Sequence, residues 1–209
     1  MHIISLVGFK GSGKDTVASY LIDYHGYQGI SFADSLKDAL CVIFGWDRDM
    51  IEGATHESRE WRETVDQWWA AKLNIPHFTP RWAMQNIGTD LFRNHFNQDL
   101  WVHSVENKLR KMPADAKVVL IDGRFPNELD LGRKYGAVVA RVKRGDEPEW
   151  FDKALRVNQG IGSQNDETEL HSAAHVSEWA WIGYDLDAVI INDGTVSDLC
   201  VKAKDILIG

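Results

Sequence analysis

Nine residues near the start of the chain, Gly8-Phe9-Lys10-Gly11-Ser12-Gly13-Lys14-Asp15-Thr16, limit what it can fold into more than any other stretch. Before them runs Ile3-Ile4-Ser5-Leu6-Val7, short and apolar, the pattern of a buried strand. After them Thr16-Val17-Ala18-Ser19-Tyr20-Leu21-Ile22 carries apolar residues at helical spacing. Strand, glycine-rich turn and helix together predict a phosphate-binding loop. Glycines let the backbone curl until successive amides point at one anion, and the helix start adds its positive dipole end. Gly8, Lys10, Gly11, Ser12, Gly13, Lys14, Asp15 and Thr16 are therefore the expected nucleotide-phosphate set, with Lys14 placed to reach the β- and γ-phosphates. An ordinary glycine-rich turn is the plainer alternative, and the agreement of spacing, lysine and context weighs against it.

The loop departs from the common pattern at one position. The hydroxyl that usually follows the lysine and holds Mg²⁺ is replaced by Asp15 and arrives one residue later, at Thr16. An aspartate beside phosphates repels them unless it points away or works through metal-bound water. Thr16 is the expected hydroxyl ligand.

Composition narrows the partners. The 209 residues suffice for one α/β domain with insertions, and 44% hydrophobic with 26% charged content is globular. At a net charge of −8 the surface as a whole does not steer toward nucleic acid or an anionic membrane, so neither is an expected partner. An anionic substrate must be met by local arginines and lysines. Cys41 and Cys200 are far apart in apolar segments and are expected as buried free thiols. No apolar run is long enough to span a membrane, and Met1-His2-Ile3 enters the first strand at once, so a cytoplasmic location is expected.

Along the chain, strands are expected at Ile30–Ala33, Lys117–Asp122, Ala137–Lys143 and Ala188–Asn192, with helices between them. Asp34 or Ser35 is expected to cap a helix closed by Gly45. Residues 46–79 are polar and tryptophan-rich, with one helix expected from Glu57 to Lys72. Trp46, Trp61, Trp68 and Trp69 read as core before they read as a base-binding cleft. Thr79-Pro80 starts a helix that places Arg81, Gln85 and Gly88 on one face. A glycine weakens a helix, and close approach by a ligand or another backbone is one reason to keep it. Asp122 ends the clearest interior strand, where the ligand crevice of an open α/β sheet lies. It is the expected water-mediated Mg²⁺ ligand, with Arg124 aimed at phosphate; a salt-bridged loop pair is the alternative. Residues 144–178 are the most polar stretch, read as one or two helices around a glycine-rich turn at Gly160 and Gly162. They suit a lid carrying Arg144 and Arg156, or a solvated insertion. His171 and His175 sit four apart without a third ligand at matching spacing, and no metal site is expected there.

The alternation of five strands with helices implies an α/β fold, a five-stranded parallel sheet with helices on both faces. One domain over residues 1–209 is expected, with a helical insertion at 46–98 and the lid at 144–178.

Several islands resemble bacteriophage-type deoxynucleoside monophosphate kinases, within the wider nucleoside monophosphate kinase fold. They are Gly-Phe-Lys-Gly-Ser-Gly-Lys-Asp-Thr (8–16), Phe-Ala-Asp-Ser-Leu-Lys-Asp-Ala-Leu (32–40), Met-Gln-Asn-Ile-Gly-Thr-Asp-Leu (84–91), Asp-Gly-Arg-Phe-Pro-Asn-Glu (122–128), His-Val-Ser-Glu (175–178) and Ile-Asn-Asp-Gly-Thr (191–195). The third and fourth are far more specific than the loop. The resemblance implies transfer of the γ-phosphoryl group of ATP to a deoxynucleoside monophosphate, with Mg²⁺, in the cytoplasm of a host if the source is viral. It implies Lys14, Asp122, Arg124 and Arg144 as catalytic groups. Lys37, Arg81, Gln85, Gly88, Thr89, Arg124 and Asn127 become the substrate contacts. Residues 46–79 are short and 145–174 long for the family, which leaves base preference open, as is dimerisation. Two rivals stand beside this reading. One is another small-molecule kinase on the same scaffold, of the dephospho-coenzyme A kinase kind. The other is a nucleotide-dependent switch, although no Asn-Lys-x-Asp guanine-reading motif is present.

Overall fold

The first strand, β1 (His2–Val7), is apolar on both faces, as a strand must be when helices cover a sheet on each side. The computed structural model describes residues 1–208. They divide into two compact units, the first comprising Met1–Phe32 and the chain from Glu106 onward, the second Ala33–Val105. The second unit is thus wider than the 46–98 insertion expected within one domain, because the residues on either side of that span belong to its core.

In the first unit β1 is followed by α1 (Lys14–His25) and β2 (Gln28–Ile30), and later by β3 (Lys117–Leu120), β4 (Val138–Lys143) and β5 (Ala188–Ile191). All pairings are parallel, in the order β2-β3-β1-β4-β5. On one face Ile4, Leu6, Val119, Ala140, Val142 and Ile190 pack against Val17 and Leu21 of α1 and Leu199 and Ala203 of α12 (Val196–Leu207). On the other face Val7 and Val139 meet Leu129 of α8 (Pro126–Lys134), Ala154 of α9 (Phe151–Asn158) and Leu170 of α10 (Gln164–Ala173). Each fully buried leucine or valine contributes about 1.5–3 kcal/mol, more than an exposed ion pair at ~0–1 kcal/mol. The sheet and its two helical layers therefore fix where the loops go.

The second strand lies earlier than the expected Ile30–Ala33. Gly29 pairs with Val119 and Ile30 with Leu120, after which Ser31 and Phe32 leave the ladder to bind the Asp122 carboxylate. Gly29 is tolerated in the strand because a side chain there would stand 2.9 Å from Ile22 and 3.0 Å from Ile121. The 144–178 stretch forms α9, α10 and the short α11 (Val176–Trp179). The first two are part of the covering layer, with Arg144 and the Gly160 turn exposed. Cys200 is free and half-buried, as is Cys41 of the second unit.

The second unit is helical throughout: α2 (Asp34–Phe44), α3 (Arg48–Glu52), α4 (His56–Glu63), α5 (Gln67–Leu73), α6 (Pro80–Gln85) and a π-helix (Asn86–Phe96). Its last described helix, α7 (Leu100–Leu109), returns the chain to the first unit. Asp34 is the first residue of α2 rather than its cap; Ala33 stands at the cap position with no side-chain bond. Its carboxylate still favours the positive helix end. The single helix expected over Glu57–Lys72 is broken because Asp66 caps a new one, its side chain accepting from the Trp69 amide at 3.0 Å. The Thr79 cap and Pro80 start are as expected. From Asn86 the helix widens, and the α-helical spacing that put Gly88 on the face of Arg81 no longer applies. Trp46, Trp61 and Trp69 sit in the core with Phe44 and Phe78, whereas Trp68 is exposed. Among the described residues no helix is long and apolar enough to cross a membrane.

Candidate active site

Register places the first unit's polar groups. Ser5 pairs with Leu120, so Asp122, two residues beyond Leu120, stands level with Val7, where β1 gives way to the glycine turn. Both are at the carboxyl end of adjacent parallel strands, the ligand side of such a sheet. The turn is held in a shape that only glycine adopts cheaply. Gly8 has φ 145°, and a side chain there would stand 2.4 Å from the Val142 carbonyl oxygen. Gly13, at φ 102°, would drive a side chain into the Asn192 amide at 2.6 Å. Asn192 in turn donates to the Ser12 carbonyl oxygen at 2.9 Å, tying the loop to the end of β5. The Ser12 hydroxyl is buried in this curl without a partner among the described residues, a polar atom suited to an incoming phosphate. Lys10 and Gly11 are exposed on the turn.

Lys14 is buried, and its neighbours are charged. Burial lowers its pKa; Asp15 opposes that, Arg124 adds to it, and Asp122 and Glu178 oppose it more weakly. The Asp15 carboxylate lies 3.8 Å from the Lys14 ammonium and is 72% exposed, so it leans toward solvent rather than into the curl. Thr16 is half-buried in the first turn of α1. Asp122 accepts from the Ser31 hydroxyl at 2.6 Å and from the Phe32 amide at 2.8 Å, one bond to each oxygen. Its oxygens and the Thr16 hydroxyl are hard donors of the kind Mg²⁺ takes, with water completing its shell.

Arg124 donates to Glu178 at 2.8 Å and, more weakly, to the Ser177 carbonyl oxygen at 3.4 Å. Burial alone would lower its pKa, but the carboxylates of Glu178 and Asp122 outweigh that and raise it. Its backbone amide donates to buried Glu128 at 2.7 Å, as does that of Phe125 at 3.1 Å, which fixes the turn into α8. Asn127 lies half-buried in the first turn of that helix. The structure thus brings Lys14, Asp122 and Arg124 together. Arg144 stays exposed on the connection after β4, and Arg156 faces Asp166 at 3.5 Å. His175 caps α11, its ring accepting from the Ser177 amide and lying 2.9 Å from the Ser177 hydroxyl.

The second unit holds a separate set of cations. Buried Lys37 donates to Glu52 at 2.7 Å, and Arg48 bonds the other oxygen of that carboxylate. Arg81 pairs with Glu63 at 3.2 Å. Arg62 lies against Gly53, where any side chain would fall 2.1 Å from its guanidinium carbon, and its Nε is buried without a partner among the described residues. Burial and then nearby Arg81 lower the Arg62 pKa. Gln85 ends α6 half-buried, and Thr89 is buried in the π-helix. Gly88 has a packing reason. A side chain there would strike Leu36 at 2.4 Å, and its carbonyl oxygen accepts from the Trp101 indole at 2.9 Å.

Sequence reasoning missed Ser31, Glu128, Glu178 and Asn192 at the first site and Arg62 at the second. Glu128 had a signal, being two residues past a helix-starting proline at capping-box spacing. The others are placed by tertiary structure, without a local pattern.

The family described as deoxynucleotide monophosphate kinase matches residues 51–203. That span contains Arg81, Asp122, Arg124 and Glu178 and begins after the phosphate loop. A protein of Acanthamoeba polyphaga mimivirus carrying the same kinase description is 36% identical over 154 residues, which cover 69% of this chain and 75% of that one. The deoxynucleotide monophosphate kinase of Enterobacteria phage T4 is 25% identical over 99% of both chains. The deoxynucleoside-5'-monophosphate kinase of Escherichia phage T5 is 25% identical over 63% of this chain and 72% of its own.

Proposed function

Because the chain belongs to the deoxynucleotide monophosphate kinase family and is a kinase of that class, with ATP as phosphoryl donor, we propose a division of its residues between donor and acceptor. The observation that carries the proposal is the meeting of Lys14, Asp122 and Arg124 beside a loop curled by Gly8, Gly11 and Gly13.

Phosphoryl transfer asks for alignment and charge neutralisation rather than covalent chemistry by the protein. The amides of Gly11 to Thr16, with Lys14, hold the phosphates of ATP. Burial suits Lys14 to this, because a partly desolvated ammonium acts on a phosphate through a low dielectric. Thr16 and Asp122 would hold Mg²⁺, which when bound neutralises charge on the β- and γ-oxygens. Ser31 and the Phe32 amide keep the Asp122 carboxylate turned to one orientation. Arg124 is assigned to the acceptor monophosphate, since a forked guanidinium matches a dianionic phosphate, and Arg81 is likewise assigned to the acceptor nucleotide. Gln85, Thr89, Lys37 and Asn127 are assigned to the sugar, base or phosphate of the acceptor, and Arg144 to a lid. No general base is needed, because the acceptor phosphate is already ionised.

A coupled ADP-release assay with ATP, Mg²⁺ and each dNMP and NMP in turn tests the proposal. ADP release that depends on a deoxynucleoside monophosphate is expected. Release that is slow and indifferent to every acceptor would reject it.

A further inference from the structure

Glu178 carries no role so far, yet its carboxylate makes the strongest contact of the arginine assigned to phosphate. Its oxygen lies 2.8 Å from the Arg124 guanidinium, 54 residues away in sequence. It is also among the charges that act on Lys14. The element presenting it is rigid for its size. The His175 ring caps α11 and bonds the Ser177 hydroxyl at 2.9 Å. Trp179 and Trp181 on either side of the following turn are buried, at 5% and 3% exposure. The Trp181 indole donates to the carbonyl oxygen of Glu178 at 3.0 Å, and that of Trp179 to Ala174 at 3.2 Å. A carboxylate held this firmly fixes the direction of the guanidinium it binds. An exposed surface pair would have been anchored by none of these.

We infer that Glu178 is a positioning residue that holds Arg124 beside Lys14 while the guanidinium engages the acceptor phosphate. The inference rests on the assignment of Arg124 to phosphate made above. Without a counter-charge, Arg124 and Lys14 repel each other, and the guanidinium would swing toward water. Glu178 offsets that repulsion and keeps the fork aimed at the loop. The same carboxylate opposes an arriving anion, so its negative charge weakens ground-state binding while it improves alignment for transfer. Removing the charge while keeping the shape should therefore tighten acceptor binding and slow turnover, two effects that misfolding does not produce together.

The test is a double-mutant cycle between Glu178→Gln and Arg124→Ala in the full chain, with kcat and the KM for dNMP measured for each variant. Glu178→Gln alone should lower kcat by at least about threefold and lower the KM for dNMP. In the Arg124→Ala background the same change should leave kcat unaltered, because the alignment acts through the arginine. Glu178→Asp provides a second variant that retains the charge on a shorter reach. It should lower kcat without lowering KM, and again leave kcat unaltered once Arg124 is gone. Equal losses of kcat in both backgrounds, or an unmoved KM in Glu178→Gln, overturn the inference. An Arg124→Ala enzyme with an unaltered KM for dNMP overturns instead the assignment on which the inference rests.

Discussion

The charged groups assigned to the first unit's site find partners that the fold delivers from distant parts of the chain; those assigned in the second unit pair with carboxylates nearer in sequence. Arg124 reaches Glu178 across 54 residues, and Asp122 takes bonds from Ser31 and Phe32 about ninety residues back. Lys37, by contrast, finds Glu52 fifteen residues on, and Arg81 finds Glu63 on a neighbouring short helix. The carboxylates of the second unit are also the more exposed, at 43% for Glu52 and 52% for Glu63 against 21% for Glu178. The cations run the other way, Arg124 being 35% exposed against 23% for Arg81 and 9% for Lys37. The comparison teaches that tertiary structure sets the partners of Asp122 and Arg124, whereas short-range pairing sets those of Lys37 and Arg81.

The largest effect that would break this comparison is at Lys14. Lys14→Ala should lower kcat roughly 10²-fold or more, as loss of an electrostatic donor to the transferring group does; near-normal turnover in a steady-state assay would remove Lys14 from the donor site. Next come the two arginines. Arg124→Ala and Arg81→Ala should each raise the KM for dNMP about tenfold or more while shifting that for ATP far less, the worth of a lost charge-assisted bond. If ATP is the substrate that suffers, the residue serves the wrong nucleotide. Backbone shape is probed by Gly8→Ala, whose new methyl meets the Val142 carbonyl oxygen. It should cost about 1–3 kcal/mol and lower Tm by several degrees, and an unchanged melting curve would show the turn to be less constrained than its φ of 145° implies.

The smallest effect concerns pH in the second unit. Burial would raise the Glu52 pKa, but Lys37 and Arg48 outweigh it and hold the carboxyl below its ordinary range. A depressed folded-state pKa contributes stability that is full above the unfolded value and is lost as pH falls through the folded one. Glu52→Gln should therefore melt lower than the wild type at neutral pH. The gap should close in acid below the usual carboxylate range, and a gap that persists there would trace the defect to packing.

The same contrast explains what could be read from the amino acids. The β1–loop–α1 unit was legible because a buried strand, left-handed glycines and an amphipathic helix each leave a local signature. Asp122 was legible because a charge ending an apolar run has few explanations. The start of β2 was not, since Ser31 and Phe32 leave the ladder for a carboxylate far along the chain. Residues 46–79 misled because an Asp66 cap inside a polar run looks like any other surface acid until the break is seen. The π-helix is invisible to a 3.6-residue period, so an argument from α-helical spacing stops at Asn86. Glu178 lay in one of the resembling islands without a role, since nothing local tells a glutamate in a four-residue helix which arginine it will meet.

One consequence follows from the two bonds on Asp122. Ser31 and Phe32 are the last residues of the first unit before the chain enters the second at Ala33, so the acid proposed for the metal is also the peg to which that exit is fastened. Truncating it to alanine would loosen the exit along with the ion. Asp122→Asn keeps an acceptor oxygen for the Phe32 amide, while its NH₂ can donate to the Ser31 hydroxyl, so both anchoring bonds can survive without the charge; it is the substitution that separates anchoring from metal affinity.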